Sequence, residues 1–536
     1  MRKNVKSLFS AILISVMATG ALTGCSGKDT KTVENTDLGD SFNETGMPIV
    51  KDEITIDVLT TRWGNMGDTF TQNQFLVDLE KESNVKVDWQ VQSLNDWEEQ
   101  KSILLASGEL PSVIFGSGTM TDTDILSNLD YFIPLDDLID KYMPNYKKIL
   151  ENDPELKKLT TYPDGKIYSL GKRLPARPKV SGQLMINKTW LDNLNLEVPT
   201  TIEELNNVLL AFKEKDANGN GNPNDEIPIT GAGELSQYYF IPFGYDAIDS
   251  DMLLKDGKLS YAKTSEAYKE GLKWAQQMYK AGVIDPEIFT QDNTMLTAKN
   301  QDPNVARVGM SYEWVPDAVF GKWSDEYIAI APIAGPDGNR YAYGDENGVG
   351  ALARNEVLIT TFCKNPEVVA RWIDQFYTDE ASIQNFWGAI GTVIEKDANG
   401  NYSLLDPPAG TSADAWYWEQ STRDFGPKYA SDELNSKLTL SSESGDGLKL
   451  EISKMGEEYI GTAYPKVMYT VEESKELATL TTDIDKYVSE MLASWITNSS
   501  IDIDAQWDSY VKQLNQMGLE RLIEIRTDAY NRYIGE

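Results

Sequence analysis

Strand-like and helix-like segments alternate at the start of the folded chain, and this alternation limits the fold more than any other sequence feature. Apolar runs rich in Val and Ile at 54–59, 85–89 and 112–115 are separated by helical segments with short connections. Such alternation is typical of a parallel sheet covered by helices. Because ligands bind beyond the carboxyl ends of such strands, Arg62 and Trp63, which follow the first strand, belong to a candidate cleft.

A second unit of the same kind follows, and the chain then returns to the first. A helix is predicted over 264–281, and strands are predicted over 305–311 and 327–332. A later strand at 357–360 and helical spacing from Trp507 onward indicate that the chain crosses between the units more than once. The sequence therefore predicts an α/β fold of two lobes joined by a hinge.

The N-terminus has the features of a secreted lipoprotein. Three basic residues precede an apolar run, 8–21, that is too short to span a bilayer comfortably. The Leu-Thr-Gly-Cys sequence that ends at Cys25 resembles a bacterial lipobox. We therefore expect 1–24 to be a signal peptide and Cys25 to become the lipidated N-terminus. A plain secretory signal with a chance cysteine is the alternative.

The polar stretch 25–50 is expected to be a flexible tether, because it has few large apolar residues to bury. The rest of the 536 residues is too long for one core and suits two domains. Apart from Cys25 the chain has a single cysteine, Cys363, so it has no pair for an internal disulfide.

Charge and composition exclude several classes of function. The net charge is −35, and loss of the three basic residues of the signal peptide makes it more negative. Such a surface repels nucleic acids and anionic lipid headgroups, so we expect no nucleic-acid partner. The chain contains no histidine, which excludes Ser-His and Cys-His nucleophile pairs and histidine-ligated zinc.

The 216–226 loop has the spacing of a cation site. Oxygen-bearing side chains alternate with glycines, which is how a short loop wraps Ca²⁺. Asp216, Asn218, Asn220 and Gly221 fit the first six positions of an EF-hand loop. The twelfth position is Ile rather than Glu, and the following segment reads as extended chain. The alternative is an Asn/Gly turn without a metal.

These features and several motifs along the chain carry a resemblance to a known family. The motifs are, in order, the lipobox, the Tyr-Pro-Asp-Gly-Lys-Ile-Tyr run at 162–168, the 187–192 and 199–201 segments, the 216–226 loop with the following Ile-Pro, and the tail segments 477–487, 504–510, 518–520 and 529–533. In this order they resemble the LipO/LplA-type branch of the family 1 extracellular solute-binding lipoproteins. The resemblance covers essentially the whole mature chain.

The resemblance implies a type II periplasmic-binding-protein fold whose two lobes close on a ligand. Lobe 1 is expected to contain 51–180 and about 345–430, and lobe 2 is expected to contain 181–344 and about 431–536. Relatives bind oligosaccharides, alginate-binding members included, and deliver them to an ABC-type permease. We therefore expect a monomeric binding protein without enzymatic activity, anchored by lipid at the outer face of the bacterial cell membrane.

The resemblance also implies a structural Ca²⁺ ion held away from the sugar. Asn222 is expected to contribute its backbone carbonyl, and either Asn224 or Asp225 fills the ninth position. Carried over residue by residue, the full set of ligands is Asp216, Asn218, Asn220, Asn222, Asp225 and Glu226.

A sugar site pairs aromatic platforms with charged or amide groups, because sugars present flat C–H faces ringed by hydroxyls. Arg177 is one candidate hydrogen-bonding group, with a solvated surface charge as its alternative. Tryptophans on apolar helix faces, such as Trp190 and Trp372, are expected in the core. The candidate ligand contacts are Arg62, Trp63, Ser117, Tyr238, Tyr239, Glu313, Trp314, Trp387, Trp416 and Trp418.

Three alternatives to an oligosaccharide importer stay open. The ligand is a peptide or another small solute in the first. The second is a secreted glycoside hydrolase, which needs only two suitably spaced carboxylates among the 84 acidic residues. In the third, the protein is a sensory binding subunit that interacts with a receptor instead of a permease.

Overall fold

The computed structural model describes most of the chain after the predicted signal peptide and lipobox. The described residues are 36, 38–63, 67–232, 235, 237–247, 250–442 and 445–535. Cys25 and the predicted signal peptide lie outside the described residues.

Fourteen strands are present in the described part of the chain. In chain order they are β1 Ile54–Arg62, β2 Val85–Ser93, β3 Val113–Phe115, β4 Ser169–Arg173, β5 Gln183–Asn187, β6 Ile227–Ile229, β7 Met252–Lys255, β8 Lys258–Tyr261, β9 Val308–Glu313, β10 Tyr327–Ala329, β11 Leu352–Ile359, β12 Ile394–Lys396, β13 Tyr402–Leu404 and β14 Leu438–Thr439.

The first three strands form the parallel arrangement that the sequence predicts. Their sheet has the order β2-β1-β3-β11-β4, with β1 parallel to both β2 and β3. The late strand β11 inserts antiparallel between β3 and β4, so the chain does return to this sheet. A second sheet has the order β10-β5-β9-β6, in which β5 runs antiparallel to β9 and β6 runs parallel to it. Two small sheets, β12-β13-β14 and β7-β8, complete the set.

Nineteen α-helices surround these sheets in the described part of the chain. They are α1 Gln74–Ser83, α2 Trp97–Ser107, α3 Asp122–Ser127, α4 Asp136–Tyr142, α5 Pro144–Asn152, α6 Pro154–Thr160, α7 Lys188–Leu194, α8 Ile202–Glu214, α9 Glu266–Lys280, α10 Asn293–Asn300, α11 Pro316–Val319, α12 Pro366–Asp374, α13 Asp379–Phe386, α14 Ala413–Gln420, α15 Asp432–Ser436, α16 Gly445–Ser453, α17 Val471–Thr497, α18 Ile503–Gln516 and α19 Leu519–Ile534. No helix of the described residues is both long and apolar enough to cross a membrane.

Each of the two main sheets has its own large hydrophobic core. One takes its side chains from 49–170 and 357–377, and the other takes them from 184–333 and 477–525. The predicted core tryptophans follow this division, since Trp190 and Trp372 are both fully buried. A smaller core, built mainly from 383–440, fills the region around α13 and α14.

The predicted tether does not extend to residue 50. Ile49 and Val50 are fully buried in the core of the first sheet, and Arg371 donates hydrogen bonds to the carbonyls of Asn43 and Gly46. The polar composition of this segment concealed the two aliphatic side chains at its end, which bury enough surface to fix it. The folded part therefore includes residues well before Val50, since the backbone of Thr36 already bonds to Lys364 and Asn365.

Candidate functional site

The carboxyl end of β1, where the sequence predicts a ligand cleft, carries a half-exposed aromatic side chain. Trp63, the residue after β1, leaves about half of its side chain exposed, at 51%. Its ring lies 6.3 Å from the ring of Phe425, which belongs to an irregular stretch, 421–426, that we call the cleft segment. An exposed indole at the end of a strand provides an apolar face for a ligand.

Arg62 is a structural residue, and the prediction that it contacts ligand is wrong. Its guanidinium is 2% exposed and donates to the backbone carbonyls of Trp418 at 2.5 Å and Ser421 at 2.8 Å. It also lies over the rings of Phe70 and Trp418. Burial lowers the pKa of Arg62 to about 10. Arg62 thus fastens the cleft segment to the end of β1, and Trp418 is covered beneath it.

A buried ion pair positions the other end of the cleft segment. The carboxylate of Glu356, on β11, lies 2.6 Å from the ammonium of Lys172 and accepts a hydrogen bond from the amide of Gly426 at 2.7 Å. The same carboxylate accepts from the amide of Ser117, a predicted ligand contact at the end of β3. The ring of Phe425 packs closely on Gly118, where an added Cβ would lie 2.9 Å from the ring.

The carboxyl end of β9 forms the facing edge of the cleft. Trp314 follows this strand, and the charged groups of Arg177 and Lys449 lie 4.9 and 4.7 Å from the centre of its ring. The Arg177 guanidinium is also 3.7 Å from the carboxylate of Asp424 in the cleft segment. Contacts therefore run from Trp63 through the cleft segment to Trp314, and they join the strand ends of the two sheets.

Two polar side chains share the sheet face beside Trp314. Gln183 of β5 is the cross-strand partner of Glu313 on β9, so both side chains project from the same face. Gln183 is 4% exposed, and neither its amide nitrogen nor its amide oxygen has a hydrogen-bond partner among the described residues. Burial raises the pKa of Glu313 to about 7, although the Ser311 hydroxyl donates to this carboxyl.

The predicted tyrosine pair divides between cleft and core. The ring of Tyr238 stacks on Tyr312, with centroids 4.3 Å apart and planes inclined by 7°. Tyr238 and Tyr312 help to line a small cavity together with Gln183 and Tyr341. Tyr239 is 4% exposed and packs on Trp274 in the core of the second sheet. The prediction that Tyr239 contacts ligand is therefore wrong.

Three further tryptophans, in or next to α13 and α14, are structural as well. Trp387 is fully buried, and its indole nitrogen donates to the carboxylate of Asp446 at 2.6 Å. Trp416 and Trp418 are also buried, at 7% and 8% exposure. The sequence places all three near irregular segments, but Trp416 and Trp418 lie in α14 and all three are buried, which corrects the predicted ligand contacts.

Sequence reasoning missed the residues that reach the cleft from other parts of the chain. No recognisable motif contains Asp424, Phe425 or Gln183, and Glu356 interrupts an apolar run that resembles a strand. The one available signal was Glu356 itself. A glutamate within a buried strand needs partners from other parts of the chain, because a buried carboxylate is stable only when it is paired.

The 216–226 loop follows helix α8 and leads directly into β6. Gly219 and Gly221 adopt positive φ values of 73° and 89°, which allow the loop to turn back on itself. The amides of Ala217 and Gly221 donate to the carboxylates of Glu226 and Asp216.

Two carboxylate oxygens of this loop lack donors. Oδ1 of Asp216 and Oε2 of Glu226 are buried without a hydrogen-bond partner among the described residues. Burial raises the pKa of the Glu226 carboxyl. Buried acceptors of this kind are what a cation satisfies, so these residues fit Ca²⁺. No three carboxylate or cysteine groups of the described chain converge as a metal cluster, so asparagine oxygens would have to complete the site.

The ninth-position alternatives differ in the direction of their side chains. The Asp225 carboxylate accepts hydrogen bonds from the side-chain amides of Asn218 at 2.9 Å and Asn220 at 2.7 Å. Burial opposes ionisation, but these bonds still lower the pKa of Asp225. Asn224 is exposed to solvent.

Comparison with known proteins assigns the architecture to a family. Residues 63–383 of the chain, more than half of it, match the family described as bacterial extracellular solute-binding protein. The chain belongs to this family. Its two sheets and surrounding helices have the two-lobe fold of the periplasmic solute-binding proteins, which confirms the predicted fold class.

Two curated relatives differ in the solutes for which they are named. FusA of Streptococcus pneumoniae, a fructooligosaccharide ABC transporter substrate-binding protein, is 36% identical over 478 residues, which are 85% of this chain and 86% of FusA. YtcQ of Bacillus subtilis, a polygalacturonan/rhamnogalacturonan-binding protein, is 23% identical over 456 residues, which are 82% of this chain and 85% of YtcQ.

Solved structures agree with this assignment. FusA in complex with kestose superposes with a TM-score of 0.79 at 32% identity, and the match covers 90% of this chain and 100% of that one. A solute-binding protein of Bifidobacterium longum infantis, described as binding HMO, superposes with a TM-score of 0.76 at 25% identity and covers 90% and 99% of the two chains. These relatives are transport proteins and not enzymes.

The neighbours Arg62 and Trp63 should behave differently on substitution. Arg62→Met removes a buried cation and leaves two backbone carbonyls without donors, which should cost about 2 kcal/mol of stability and lower the melting temperature of the ligand-free protein by several degrees. Trp63→Ala removes a half-exposed ring and should leave that melting temperature nearly unchanged. Differential scanning calorimetry of both variants tests this. An unchanged melting temperature of the Arg62→Met protein would contradict the structural role of Arg62.

Proposed function

We propose that the protein is the solute-binding component of an ABC importer and that it binds an oligosaccharide in the cleft. The supporting observation is the series of contacts that runs from the half-exposed ring of Trp63 through the cleft segment, which contains Asp424, to Trp314. The polar side chains of Gln183 and Glu313 lie on the strands whose ends meet at Trp314. An exposed aromatic face flanked by hydrogen-bonding groups suits the C–H faces and hydroxyls of sugars. The names of the relatives support the same class of ligand.

A binding role without turnover accounts for this arrangement. Of the carboxylates around the cleft segment, Glu356 is paired with Lys172 and Asp446 is paired with Arg423, which leaves Glu313 and Asp424. Glu313 and Asp424 stand on different lobes, so their separation changes as the lobes move. We propose that lobe 1 contains 51–180, the stretch before it that packs on the first sheet, and about 345–430. Lobe 2 contains 181–344 and about 431–536, and a single copy acts as a monomer.

A thermal-shift screen tests the ligand class. An oligosaccharide that binds at 100 times its Kd adds about 2.7 kcal/mol of stability, so at least one glycan of a panel that includes kestose should raise the melting temperature. Trp63→Ala should reduce that shift, while the ligand-free melting temperature stays that of the wild type.

Two other outcomes would decide against this proposal. Melting temperatures that rise only with peptides would show that the ligand is not a saccharide. New reducing ends after prolonged incubation of purified protein with the glycans would show a hydrolase.

We propose further that the 216–226 loop binds a structural Ca²⁺ ion. Asp216, Asn218, Asn220, Asp225 and Glu226 would hold it through side chains, and Asn222 would hold it through its carbonyl. The inward position of Asp225 supports this residue over Asn224 as the ninth ligand, and FusA has been solved as an EF-hand mutant. Bound Ca²⁺ supplies positive charge to carboxylates that otherwise lack donors.

Calcium removal should destabilise the protein with little direct effect on the cleft. A chelator is expected to lower the melting temperature of wild-type protein, and added Ca²⁺ should restore it. Asp225→Asn should weaken this calcium-dependent shift, whereas the matched change Asn224→Ser should retain it. A wild-type melting temperature that is identical with chelator and with Ca²⁺ would identify the loop as an Asn/Gly turn.

We also propose that Cys25 carries the lipid that anchors the protein at the outer face of the cell membrane. The lipobox-like sequence and the family assignment support this position. In a bacterial host with lipoprotein maturation, labelled palmitate should be incorporated into the wild type, which should fractionate with membranes. Cys25→Ser should lose both properties, and membrane retention of this variant would contradict the anchor.

A further inference from the structure

We propose that the cleft selects uncharged oligosaccharides and rejects those that carry uronic acids, with Asp424 and Gln183 as the groups that recognise sugar hydroxyls. This inference rests on the proposed function, because it concerns which saccharide the same cleft accepts. Family membership leaves the choice open, since FusA and YtcQ are named for saccharides of different charge.

Asp424 presents a partly exposed carboxylate in the cleft segment, with the Arg177 guanidinium 3.7 Å away. Its side chain is 39% exposed, and its Oδ1 atom is buried without a hydrogen-bond partner among the described residues. Burial opposes ionisation, but Arg177, Arg423, Lys172 and Lys428 together lower the pKa of the Asp424 carboxyl. Asp424 is therefore a carboxylate at neutral pH, and a carboxylate only accepts hydrogen bonds. Sugar hydroxyls donate to such an acceptor, whereas a second carboxylate cannot.

Gln183 provides a second and independent observation. A buried side-chain amide without partners is rare in native proteins, because each unpaired donor or acceptor has lost its bonds to water. The amide of Gln183 offers both a donor and an acceptor, and a hydroxyl group matches both. Gln183 is the cross-strand partner of Glu313 and lines the small cavity beside Tyr238 and Tyr312, so a ligand at this end of the second sheet could meet its amide.

The cations near the cleft are already occupied. A uronate needs a donor with positive charge, as Arg and Lys provide. Each described cation around the cleft segment is instead committed to the protein: Arg62 to the Trp418 and Ser421 carbonyls, Lys172 to Glu356, Arg177 to Asp424 and the Val349 carbonyl, Arg423 to Asp446, Lys428 to the Phe425 and Gly426 carbonyls, and Lys449 to the Ser181 carbonyl.

A bound uronate would therefore meet the Asp424 carboxylate without a free charged donor to balance it. Lys172, Lys428 and Lys449 are buried, so they cannot turn toward a ligand without breaking these bonds. Burial also lowers the pKa of Lys449 to about 7, which weakens it further as a cation. Like charges brought together at an interface oppose binding and give specificity against the wrong partner.

Isothermal titration calorimetry with matched trisaccharides tests this inference. The neutral probes are kestose, maltotriose, mannotriose and galactotriose, and the anionic probe is trigalacturonate. At least one neutral probe should bind at least tenfold more tightly than trigalacturonate. The preference should persist in high salt, because it comes from local contacts and not from the overall negative charge of the protein, which salt screens.

Two variants test the named residues. Gln183→Met keeps the volume but removes the unpartnered amide, so the neutral probe should bind at least tenfold more weakly while the ligand-free melting temperature is maintained or raised. A purely structural role for this amide would lower the melting temperature instead. Asp424→Asn should weaken the neutral probe and not trigalacturonate, whereas Asp432→Asn, at a side chain that is 97% exposed, should change neither affinity.

The outcomes separate this inference from the proposed function. If trigalacturonate binds as tightly as the best neutral probe, the inference is wrong and the oligosaccharide function stands. If neither class binds while peptides do, the proposed function is wrong, and the inference is wrong with it. If Asp424→Asn is unfolded, the comparison of neutral and anionic probes on wild-type protein decides the matter alone.

Discussion

The carboxylate of Glu356 is the group on which the architecture of the cleft depends. It is fully buried and joins three segments of the chain: β4 through Lys172, the loop after β3 through the amide of Ser117, and the cleft segment through the amide of Gly426. A charge in the interior is stable only when it is paired and hydrogen-bonded. The three segments therefore have to meet for this lobe to form, and their meeting holds Asp424 beside Arg177 with its side chain 39% exposed.

A local irregularity of β11 makes this arrangement possible. The register between β11 and β4 shifts between Ala353 and Val357, and Asn355 has a φ of 67°. Asparagine tolerates this region better than most residues, and a bulge redirects the side chains beside it. As a result Arg354 and Asn355 both bond to Asp122, while Glu356 points to the ion pair beneath the cleft segment. Strand irregularity and site geometry are thus one feature.

The outcome for the aromatic residues shows where sequence reasoning succeeds and where it fails. Helix periodicity correctly assigns Trp190 and Trp372 to the core, because the face of a regular helix follows from spacing alone. The sequence shows no clear apolar helical spacing around Trp387 and Trp416, although Trp416 lies within α14, and there the predictions failed. Trp63 follows a parallel strand and is half exposed, and its contact with a ligand stays a prediction.

Short-range sequence patterns were enough to predict three features of this protein. These are the alternation of strands and helices, the later strand and helices with which the chain returns to the first sheet, and the turn-rich 216–226 loop. Each depends on residues close together in the chain, through periodicity, turn preference and the spacing of oxygen ligands. Tertiary structure alone decided which side chains line the cleft. Arg62 meets Ser421 across 359 positions, and Ser117 meets Glu356 across 239. Burial and pairing at such distances depend on how the whole chain packs, and no local pattern encodes them.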